Sequence, residues 1–260
     1  MKTYYQDDLV KIYNTDSQDL SFIEDNSVHL IITSPPYNAG IDYDNHYDRM
    51  SQDKYFGMLE NVFRECYRVL VSGGRLCVNV PSCIKQHTFT RIAFLALDLT
   101  LLLRRIGFLD REWLTWVKME GGVVPGHSTA WGSWKNPSNP YLRDGSEYIV
   151  IMSKEKYDLE GDKEKIDITA KEFLRFSTNV WTIYPTREEI SKHPAAFPEG
   201  LPYRLIKLYS YVGNTILDPF AGSGTTGVVA KRLKRKAILV DISKKYCELS
   251  SIKCGQGNLF

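Results

Sequence analysis

The sequence lacks the marks of several protein classes. No apolar run reaches the roughly 20 residues that a membrane-spanning helix needs. The longest candidate, residues 91–107, contains Asp98 and is closed by Arg104 and Arg105, so it predicts a buried helix of a globular protein. The N-terminus has neither the basic start nor the apolar centre of a signal peptide, and we therefore expect a cytoplasmic protein.

The sequence also lacks the paired cysteines of a disulfide framework or a zinc site, and it has no large excess of charge of one sign. The five cysteines form no CxxC pair and are odd in number, which argues against a disulfide framework or zinc knuckle and favours buried free thiols. The five histidines show no metal-ligand spacing, so we predict no metal site. The 33 basic and 31 acidic residues give a net charge of +2, so any nucleic-acid contact must use local patches. The basic run at 231–236 lies at the end of a predicted helix, and we assign it to a solvated helix end rather than to DNA.

Apolar runs of strand length alternate with segments of helical periodicity along most of the chain. This alternation predicts a mainly parallel sheet covered by helices on both faces. The predicted strands are 9–14, 28–33, 75–80, 112–118, 147–152, 215–218 and 237–241, and the predicted helices are 52–70, 89–106, 201–211, 224–233 and 244–253.

Two stretches break this alternation. Residues 119–146 are rich in Gly, Pro, Ser and Asn and contain two tryptophans. Residues 155–185 begin with many charged residues and continue with a mixed composition. Long stretches without regular structure are uncommon in compact domains and are usually functional. We predict one domain over 1–260 with an irregular insertion at approximately 119–185.

A glycine-rich corner follows a short apolar strand in "NTILDPFAGSGTTGVVAKRL", residues 214–233. Gly222 and Gly224 permit a tight turn, and Ser223, Thr225 and Thr226 can cap the next helix. A plain strand-to-helix turn would have the same features. A phosphate-binding loop is excluded, because it needs lysine and Ser/Thr where Thr225 and Thr226 stand.

Two acidic residues at strand ends indicate the kind of ligand. Asp218 at the tip of "TILD" would repel phosphate and suits a cation or a hydroxyl group. Asp241 ends the next strand, about twenty residues beyond the glycines, where nucleoside-binding folds place a carboxylate on ribose hydroxyls. A nucleoside with a positive charge fits both acids, and S-adenosylmethionine is the common one.

A second corner lies in "IITSPPYNAG", residues 31–40. Adjacent prolines fix the backbone after a buried strand and present Tyr37 rigidly. Tyr37 can stack on a flat ring, while Ser34 and the Pro35 carbonyl can accept hydrogen bonds from an exocyclic amine. An isolated copy of this motif would equally suit a rigid structural turn.

Together, "TSPPYN" and "DPFAGSGTT" resemble the amino-directed DNA methyltransferases, which methylate cytosine N4 or adenine N6 with S-adenosylmethionine. The catalytic motif comes first and the cofactor motif last, as in the circularly permuted β group. The resemblance implies a Rossmann-like α/β methyltransferase fold with a seven-stranded, mostly parallel sheet. The sheet of this fold needs a further strand after "AILVD". The resemblance implies that residues 9–14 supply that strand, so that the two ends of the chain lie near each other.

The resemblance implies roles for three sets of residues. The catalytic set is Ser34, Pro35, Pro36 and Tyr37. The cofactor-binding set is Asp16, Thr33, Phe197, Asp218, Pro219, Phe220, Gly222, Ser223, Gly224, Thr225, Thr226 and Asp241. The DNA-binding set is Asn38, Trp131, Trp134, Lys135, Asn136, Ser138, Asn139 and Arg143, most of which lie in the irregular insertion.

The mechanism implied is direct in-line transfer to a base flipped out of the duplex, without a covalent enzyme intermediate. Methylation of cytosine carbon 5 would need a Pro-Cys nucleophile, and no proline here precedes a cysteine.

Serine at position 34 favours cytosine N4, with adenine N6 as the alternative. A catalytically silent DNA-binding relative would show damage to one corner, and enzymes that methylate protein glutamine or RNA usually place the cofactor motif first. The expected partners are double-stranded DNA and a cognate restriction endonuclease, and the protein itself is a monomer or a homodimer.

Overall fold

A mixed sheet forms the centre of the structure, a computed structural model that describes residues 2–38, 42–43, 46–47, 50–81, 84–85, 92–118, 133, 135–140, 142, 145–184 and 197–256. Its strands are β1 (Tyr5–Gln6), β2 (Val10–Asn14), β3 (Val28–Thr33), β4 (Leu70–Pro81), β5 (Phe108–Val117), β6 (Ser146–Lys154), β7 (Val180–Thr182), β8 (Thr215–Asp218) and β9 (Lys236–Asp241). Their order across the sheet is β1-β2-β9-β8-β3-β4-β6-β5-β7.

The sheet confirms the predicted mostly parallel architecture. All seven predicted strands are present, and the short strands β1 and β7 extend the sheet to nine at its two edges. Neighbours from β2 to β4 are all parallel, whereas β6 runs antiparallel to both β4 and β5. Strand β5 begins four residues earlier than predicted, because Gly107 adopts φ 118° at the end of the preceding helix and the chain enters the strand at once.

Six helices cover the sheet in the described part of the chain. They are α1 (Gln52–Val69), α2 (Leu95–Ile106), α3 (Ala170–Phe176), α4 (Gly200–Tyr209), α5 (Thr225–Arg232) and α6 (Lys244–Gln256). Helices α1 and α2 pack on one face of the sheet, and α3 to α6 pack on the other. The core therefore lies in two apolar layers, one on each side of the strands.

The prediction for the second helix was wrong at its start and in its burial. Helix α2 begins at Leu95 rather than at residue 89, and Ile92–Ala93 forms a short antiparallel pair with Ile84–Lys85. Only one side of α2 faces the core, since Leu97 and Leu101 are each 47% exposed.

Among the described residues, no helix is long and apolar enough to cross a membrane.

The two ends of the chain meet in the sheet, as predicted. Strand β2 pairs in parallel with β9, with Val10 opposite Ala237 and Asn14 opposite Asp241. The Asn14 side chain donates hydrogen bonds to the carbonyls of Asp241 and Ile242, at 3.0 and 2.9 Å. The N-terminal segment thus completes the half of the sheet that the C-terminal segment begins.

The basic run at 231–236 is partly solvated and partly tied into the fold. Lys231 pairs with Asp7 at 2.6 Å, and Arg232 pairs with Glu199 at 2.7 Å. Arg235 is fully buried against Asp167. Arg232, Lys234 and Lys236 are exposed, as the assignment to a solvated helix end predicts, whereas Arg235 is not. The exclusion of this run from DNA binding stays a prediction.

The predicted insertion contributes to the sheet where the structure describes it. Strand β6, helix α3 and strand β7 fall within 119–185 and belong to the sheet or its cover. Most of 119–144 lies outside the described residues, so the extent of the insertion and its role in recognition stay predictions. Four of the cysteines are free and buried as expected, while Cys83 lies outside the described residues.

The topology opens a crevice at one edge of the sheet. From β8 the chain passes through α5 to β9, and from the adjacent β3 it passes through α1 to β4 on the other side. In open α/β sheets, ligands bind at the carboxyl ends of strands where the connections diverge in this way. Both corners found in the sequence follow these two strand ends.

Candidate active site

A cavity of about 320 Å³ lies at the carboxyl ends of β8 and β3. Both sequence corners line it, although they are far apart in the chain. The predicted residues that line it are Asp16, Ser34, Pro35, Pro36, Tyr37, Phe197, Asp218, Pro219, Phe220, Gly222, Ser223, Thr225 and Asp241. Its volume lies within the range of small-molecule sites, about 300–1,000 Å³.

The glycine corner turns tightly against helix α6. Gly222 and Gly224 have φ angles of 49° and 81°, a region that side chains disfavour. A Cβ atom on Gly224 would lie 2.7 Å from the Oγ of Ser250, whose hydroxyl donates to the Gly222 carbonyl at 2.8 Å. Glycine is therefore required where the backbone passes between the cavity and α6.

The predicted side-chain caps of the next helix are absent. Gly224 is itself the N-cap of α5, and no side chain caps that helix. Ser223 accepts a hydrogen bond from Lys253 at 2.8 Å, and Thr226 donates to Asp218 at 2.7 Å. These hydroxyls fix the corner instead of capping the helix.

Asp218 is the buried centre of the corner, with only 2% of its surface exposed. It accepts hydrogen bonds from the hydroxyls of Thr33 and Thr226, both at 2.7 Å, and from the backbone N–H of Phe220 at 3.2 Å. Burial raises the pKa of Asp218 to about 6, although these three donors act in the opposite direction. Thr33 and Thr226 are fully buried behind the cavity wall, so their influence on a ligand passes through Asp218.

Asp241 and Asp16 supply the other carboxylates of the cavity. Asp241 accepts hydrogen bonds from the backbone N–H groups of Gly222 and Ser243, both at 2.8 Å, and burial raises its pKa. Because a carboxylate offers about four acceptor positions, Asp241 retains capacity for ribose hydroxyls. Asp16 is exposed and accepts two bonds from Gln18, each at 2.9 Å.

The rest of the cavity wall is largely apolar. Side chains that the sequence analysis did not identify also line it, and these are Ser17, Gln18, Met50, Met58, Ala221, Ile242, Ser243 and Tyr246. Apolar walls with a few carboxylates suit a flat heterocycle that carries hydroxyl groups and a positive charge. These carboxylates and apolar side chains therefore fit the S-adenosylmethionine predicted from the sequence.

The proline corner is held from below by helix α1. The Tyr55 hydroxyl donates to the Pro36 carbonyl at 2.8 Å. The Oγ of Ser34 lies 2.8 Å from the hydroxyl oxygen of Tyr37, and both residues line the cavity. The corner thus presents a hydroxyl group and an aromatic ring side by side at the cavity wall.

A polar cluster that the sequence analysis missed lies behind Tyr37. The Tyr37 hydroxyl donates to Oε2 of Glu147 at 3.2 Å, and Asn79 Nδ2 donates to both the Tyr37 oxygen and Glu147 Oε2, at 3.0 and 2.6 Å. The ammonium group of Lys118 forms an ion pair with Oε1 of Glu147. The sequence signals were weak: Asn79 lies among apolar residues in "RLCVNV", and Glu147 begins the largely apolar "EYIVIM".

Asn38 is buried and bonded to the backbone at Met50. It is 6% exposed, its Nδ2 donates to the Met50 carbonyl at 2.9 Å, and its Oδ1 accepts from the Met50 N–H at 2.7 Å. The amide thereby joins the two ends of segment 39–49. These bonds give Asn38 a structural role, and its contact with DNA stays a prediction.

The other predicted DNA contacts are described only in part. Lys135, Asn136, Ser138 and Asn139 lie in an exposed turn, in which the N–H of Ser138 donates to Asn136 Oδ1 at 2.9 Å. Trp131, Trp134 and Arg143 lie outside the described residues. Contact of this turn with DNA stays a prediction.

Comparison with known proteins gives consistent matches over nearly the whole chain. The N6/N4 DNA methylase family model matches residues 28–252. The type II methyltransferase M.MjaI of Methanocaldococcus jannaschii is 30% identical over 279 residues, covering 94% of this chain and 91% of that protein. The structure of TTHA0409 from Thermus thermophilus, complexed with S-adenosyl-L-methionine, superposes with a TM-score of 0.74 at 27% identity, covering 95% of this chain and 93% of that one. The cytosine-N4-specific PvuII DNA methyltransferase matches in fold, with a TM-score of 0.76 at 21% identity over 97% of this chain and 88% of that one.

Proposed function

The chain belongs to the N6/N4 DNA methylase family, and on this premise we propose that it methylates the exocyclic N4 amine of a flipped cytosine in duplex DNA. Methyl transfer from S-adenosyl-L-methionine to DNA is the activity of the family, whereas the base and the acceptor atom are our proposal. The observation that carries it is the convergence of Ser34, Tyr37, Asp218 and Asp241 on one cavity.

We assign one half of the cavity to the cofactor from the chemistry of the carboxylates and apolar side chains that line it. S-adenosyl-L-methionine supplies a methyl group on a positively charged sulfonium. We assign Asp241 to the ribose hydroxyls and Asp16 to the adenine, and Asp218 adds negative charge to the wall that a cation would face. Phe197 and Phe220 give that wall apolar surface for the remainder of the cofactor.

The catalytic half orients the amine. Inside a duplex the amine is inaccessible, so the base is flipped out and stacked on the Tyr37 ring. The lone pair of the amine is delocalised into the base. Acceptors on its hydrogens, Ser34 Oγ and the Pro35 carbonyl, favour a pyramidal nitrogen, and alignment at near-attack distance lowers the remaining barrier.

Serine at position 34 is the reason for choosing cytosine, because most adenine-specific relatives carry Asp or Asn there. Adenine N6 is the alternative within the same fold. A silent DNA-binding relative is disfavoured, since both corners retain their side chains and line one cavity.

The setting of this activity is also a proposal. A relative named as a type II methyltransferase supports a role as the modification half of a restriction-modification system, with double-stranded DNA as substrate and a cognate endonuclease as partner. We place the enzyme in the cytoplasm, as a monomer or homodimer.

Nucleoside analysis tests the proposal. DNA is incubated with the enzyme and cofactor labelled in its methyl group, digested to nucleosides and separated. We expect label in N4-methyldeoxycytidine, and the Ser34→Ala protein, purified identically, controls for host methylases. Label in N6-methyldeoxyadenosine would establish the alternative, and no label above the control in either nucleoside would refute the proposed function.

A further inference from the structure

We propose that Glu147 sets the direction of a hydrogen-bond chain that ends on Ser34, so that the Ser34 oxygen faces the target amine as an acceptor. Glu147 lies in neither sequence corner and would act through Tyr37, as a positioning residue. The proposal rests on the catalytic role proposed above for Ser34 and Tyr37. It explains how a serine, which can donate or accept, is restricted to accepting.

The chain begins at a buried carboxylate. Glu147 is 8% exposed, and its register places it between Pro81 of β4 and Trp116 of β5. Lys118 pairs with its Oε1, and Oε2 receives Asn79 at 2.6 Å and Tyr37 at 3.2 Å. A carboxylate only accepts hydrogen bonds, so the Tyr37 hydroxyl must give its proton to Glu147.

This fixes the direction of the next bond. Tyr37 has a single hydroxyl proton, so once that proton is donated to Glu147 its oxygen can only accept. It accepts from Asn79 Nδ2 at 3.0 Å and from the Ser34 hydroxyl at 2.8 Å. Ser34 therefore directs its only proton towards Tyr37, and its lone pairs remain for an N–H group in the cavity.

Asn79 and Lys118 hold the carboxylate in this orientation. Both hydrogens of the Asn79 amide point to acceptors, Tyr37 and Glu147, so a flipped amide would set its oxygen against the carboxylate. Lys118 occupies the opposite oxygen of Glu147 and is itself 5.0 Å from the centre of the Trp116 ring. The proton arrangement at Ser34 is thus determined by groups outside both motifs.

The isosteric change Glu147→Gln should remove the fixed direction of the chain. The ammonium of Lys118 attracts the glutamine carbonyl, which turns the new NH₂ group towards Tyr37 and the Asn79 amide. Tyr37 then faces a donor where the carboxylate accepted its proton, so its hydroxyl can donate to Ser34 and the Ser34 proton is no longer held away from the amine. We expect single-turnover methyl transfer to fall about 10- to 100-fold, less than the roughly 100- to 1,000-fold lost when an oriented group is removed outright, because Ser34 itself stays in place.

The experiment is a double-mutant cycle between Glu147→Gln and Tyr37→Phe. Single-turnover transfer to DNA, cofactor affinity by calorimetry and thermal unfolding are measured for both single variants and the double variant. The double variant should lose no more rate than Tyr37→Phe alone, because the carboxylate acts through the Tyr37 hydroxyl. Cofactor affinity should stay near that of the wild type, while the unfolding temperature should fall in the variants that carry Glu147→Gln, because the Lys118 ammonium loses its carboxylate partner.

Two further variants keep the proposal decidable. Glu112→Gln removes an exposed carboxylate from the neighbouring strand β5 and should leave the rate unchanged. Glu147→Asp keeps an acceptor and should retain more activity than Glu147→Gln. If Glu147→Gln does not fold, the order of Glu147→Asp and Tyr37→Phe decides instead, since the aspartate variant should be the faster of the two.

Three results would overturn the proposal: a wild-type rate for Glu147→Gln, rate losses that add in the double variant, or a rate loss matched by loss of folding or cofactor binding. Failure of the proposed function has a different signature. In that case the wild-type enzyme transfers no methyl group to DNA, or Ser34→Ala and Tyr37→Phe transfer it at the wild-type rate.

Discussion

The hydroxyl of Thr33 donates a 2.7 Å hydrogen bond to Oδ1 of Asp218, a residue 185 positions further along the chain. Thr33 is the last residue of the strand that leads into the proline corner, and Asp218 is the last residue of the strand that leads into the glycine corner. Both side chains are buried. This bond joins the proposed catalytic corner to the proposed cofactor corner.

Replacing Thr33 by valine should weaken both stability and cofactor binding. The change leaves the buried Asp218 carboxyl without one donor, which costs about 1–3 kcal/mol. We expect the free energy of unfolding to fall by that amount in denaturant titrations, and the dissociation constant for the cofactor to rise. Thr215→Val is the control at the other end of the same strand as Asp218, where no side-chain hydrogen bond from Thr215 occurs within the described residues. Unchanged stability and affinity in Thr33→Val would contradict this role.

Two glycines should respond to alanine in opposite directions. Gly224 has φ 81°, and a Cβ there would meet the Oγ and Cα of Ser250 at 2.7 and 3.0 Å. We expect Gly224→Ala to lose about 1–2 kcal/mol from backbone strain alone, and to bind the cofactor more weakly because the turn must move.

Gly57 gives the matched comparison. It is exposed within helix α1, and a Cβ there would meet nothing within 4 Å. Gly57→Ala should raise the free energy of unfolding by about 0.5–1 kcal/mol, with unchanged cofactor affinity. Equal effects of the two substitutions in the same denaturant assay would refute the conformational requirement at Gly224.

Cofactor binding should depend on pH through the buried carboxyls. Burial raises the pKa of Asp218 to about 6, and it also raises the pKa of Asp241. A cationic ligand favours the ionised carboxylate, so binding expels a proton and affinity should rise as the pH increases from 5 to 7. In the free protein the raised pKa has the opposite effect on stability, since its contribution is present at acidic pH and is lost as the pH rises through about 6.

Calorimetry with two ligands checks this prediction. S-adenosylhomocysteine lacks the sulfonium charge, so its affinity should change less over the same pH range. Asp218→Asn should flatten the dependence for S-adenosylmethionine. An affinity for S-adenosylmethionine that increases towards acidic pH would have the wrong sign and would exclude this coupling.

Much of the fold was predictable because its signals are local. Short apolar runs and amphipathic segments identified the strands and helices, and the order of the two motifs placed residues 9–14 beside β9, as the structure confirms. The start of α2 was not predictable from residues 89–94, where apolar side chains suit a helix and a strand equally. The burial of Arg235 was also hidden, because its partner Asp167 is remote in sequence.

The site was predictable at its two corners and not behind them. The roles of the glycines, prolines and strand-end acids can be predicted from the residues next to them in the sequence. Asn79 and Glu147 come together only through the pairing of β4 with β6. A shift of one residue in that register would turn these side chains to the other face of the sheet. Their contact with Tyr37 therefore required the three-dimensional structure.

Single-turnover methyl transfer by Ser34→Ala and Tyr37→Ala decides whether the proline corner is the catalytic site. With DNA and cofactor both saturating, each variant should transfer the methyl group at least about 100-fold more slowly than the wild type, while cofactor affinity is retained. If both variants transfer at the wild-type rate, the proline corner is not the catalytic site and the catalytic groups lie elsewhere.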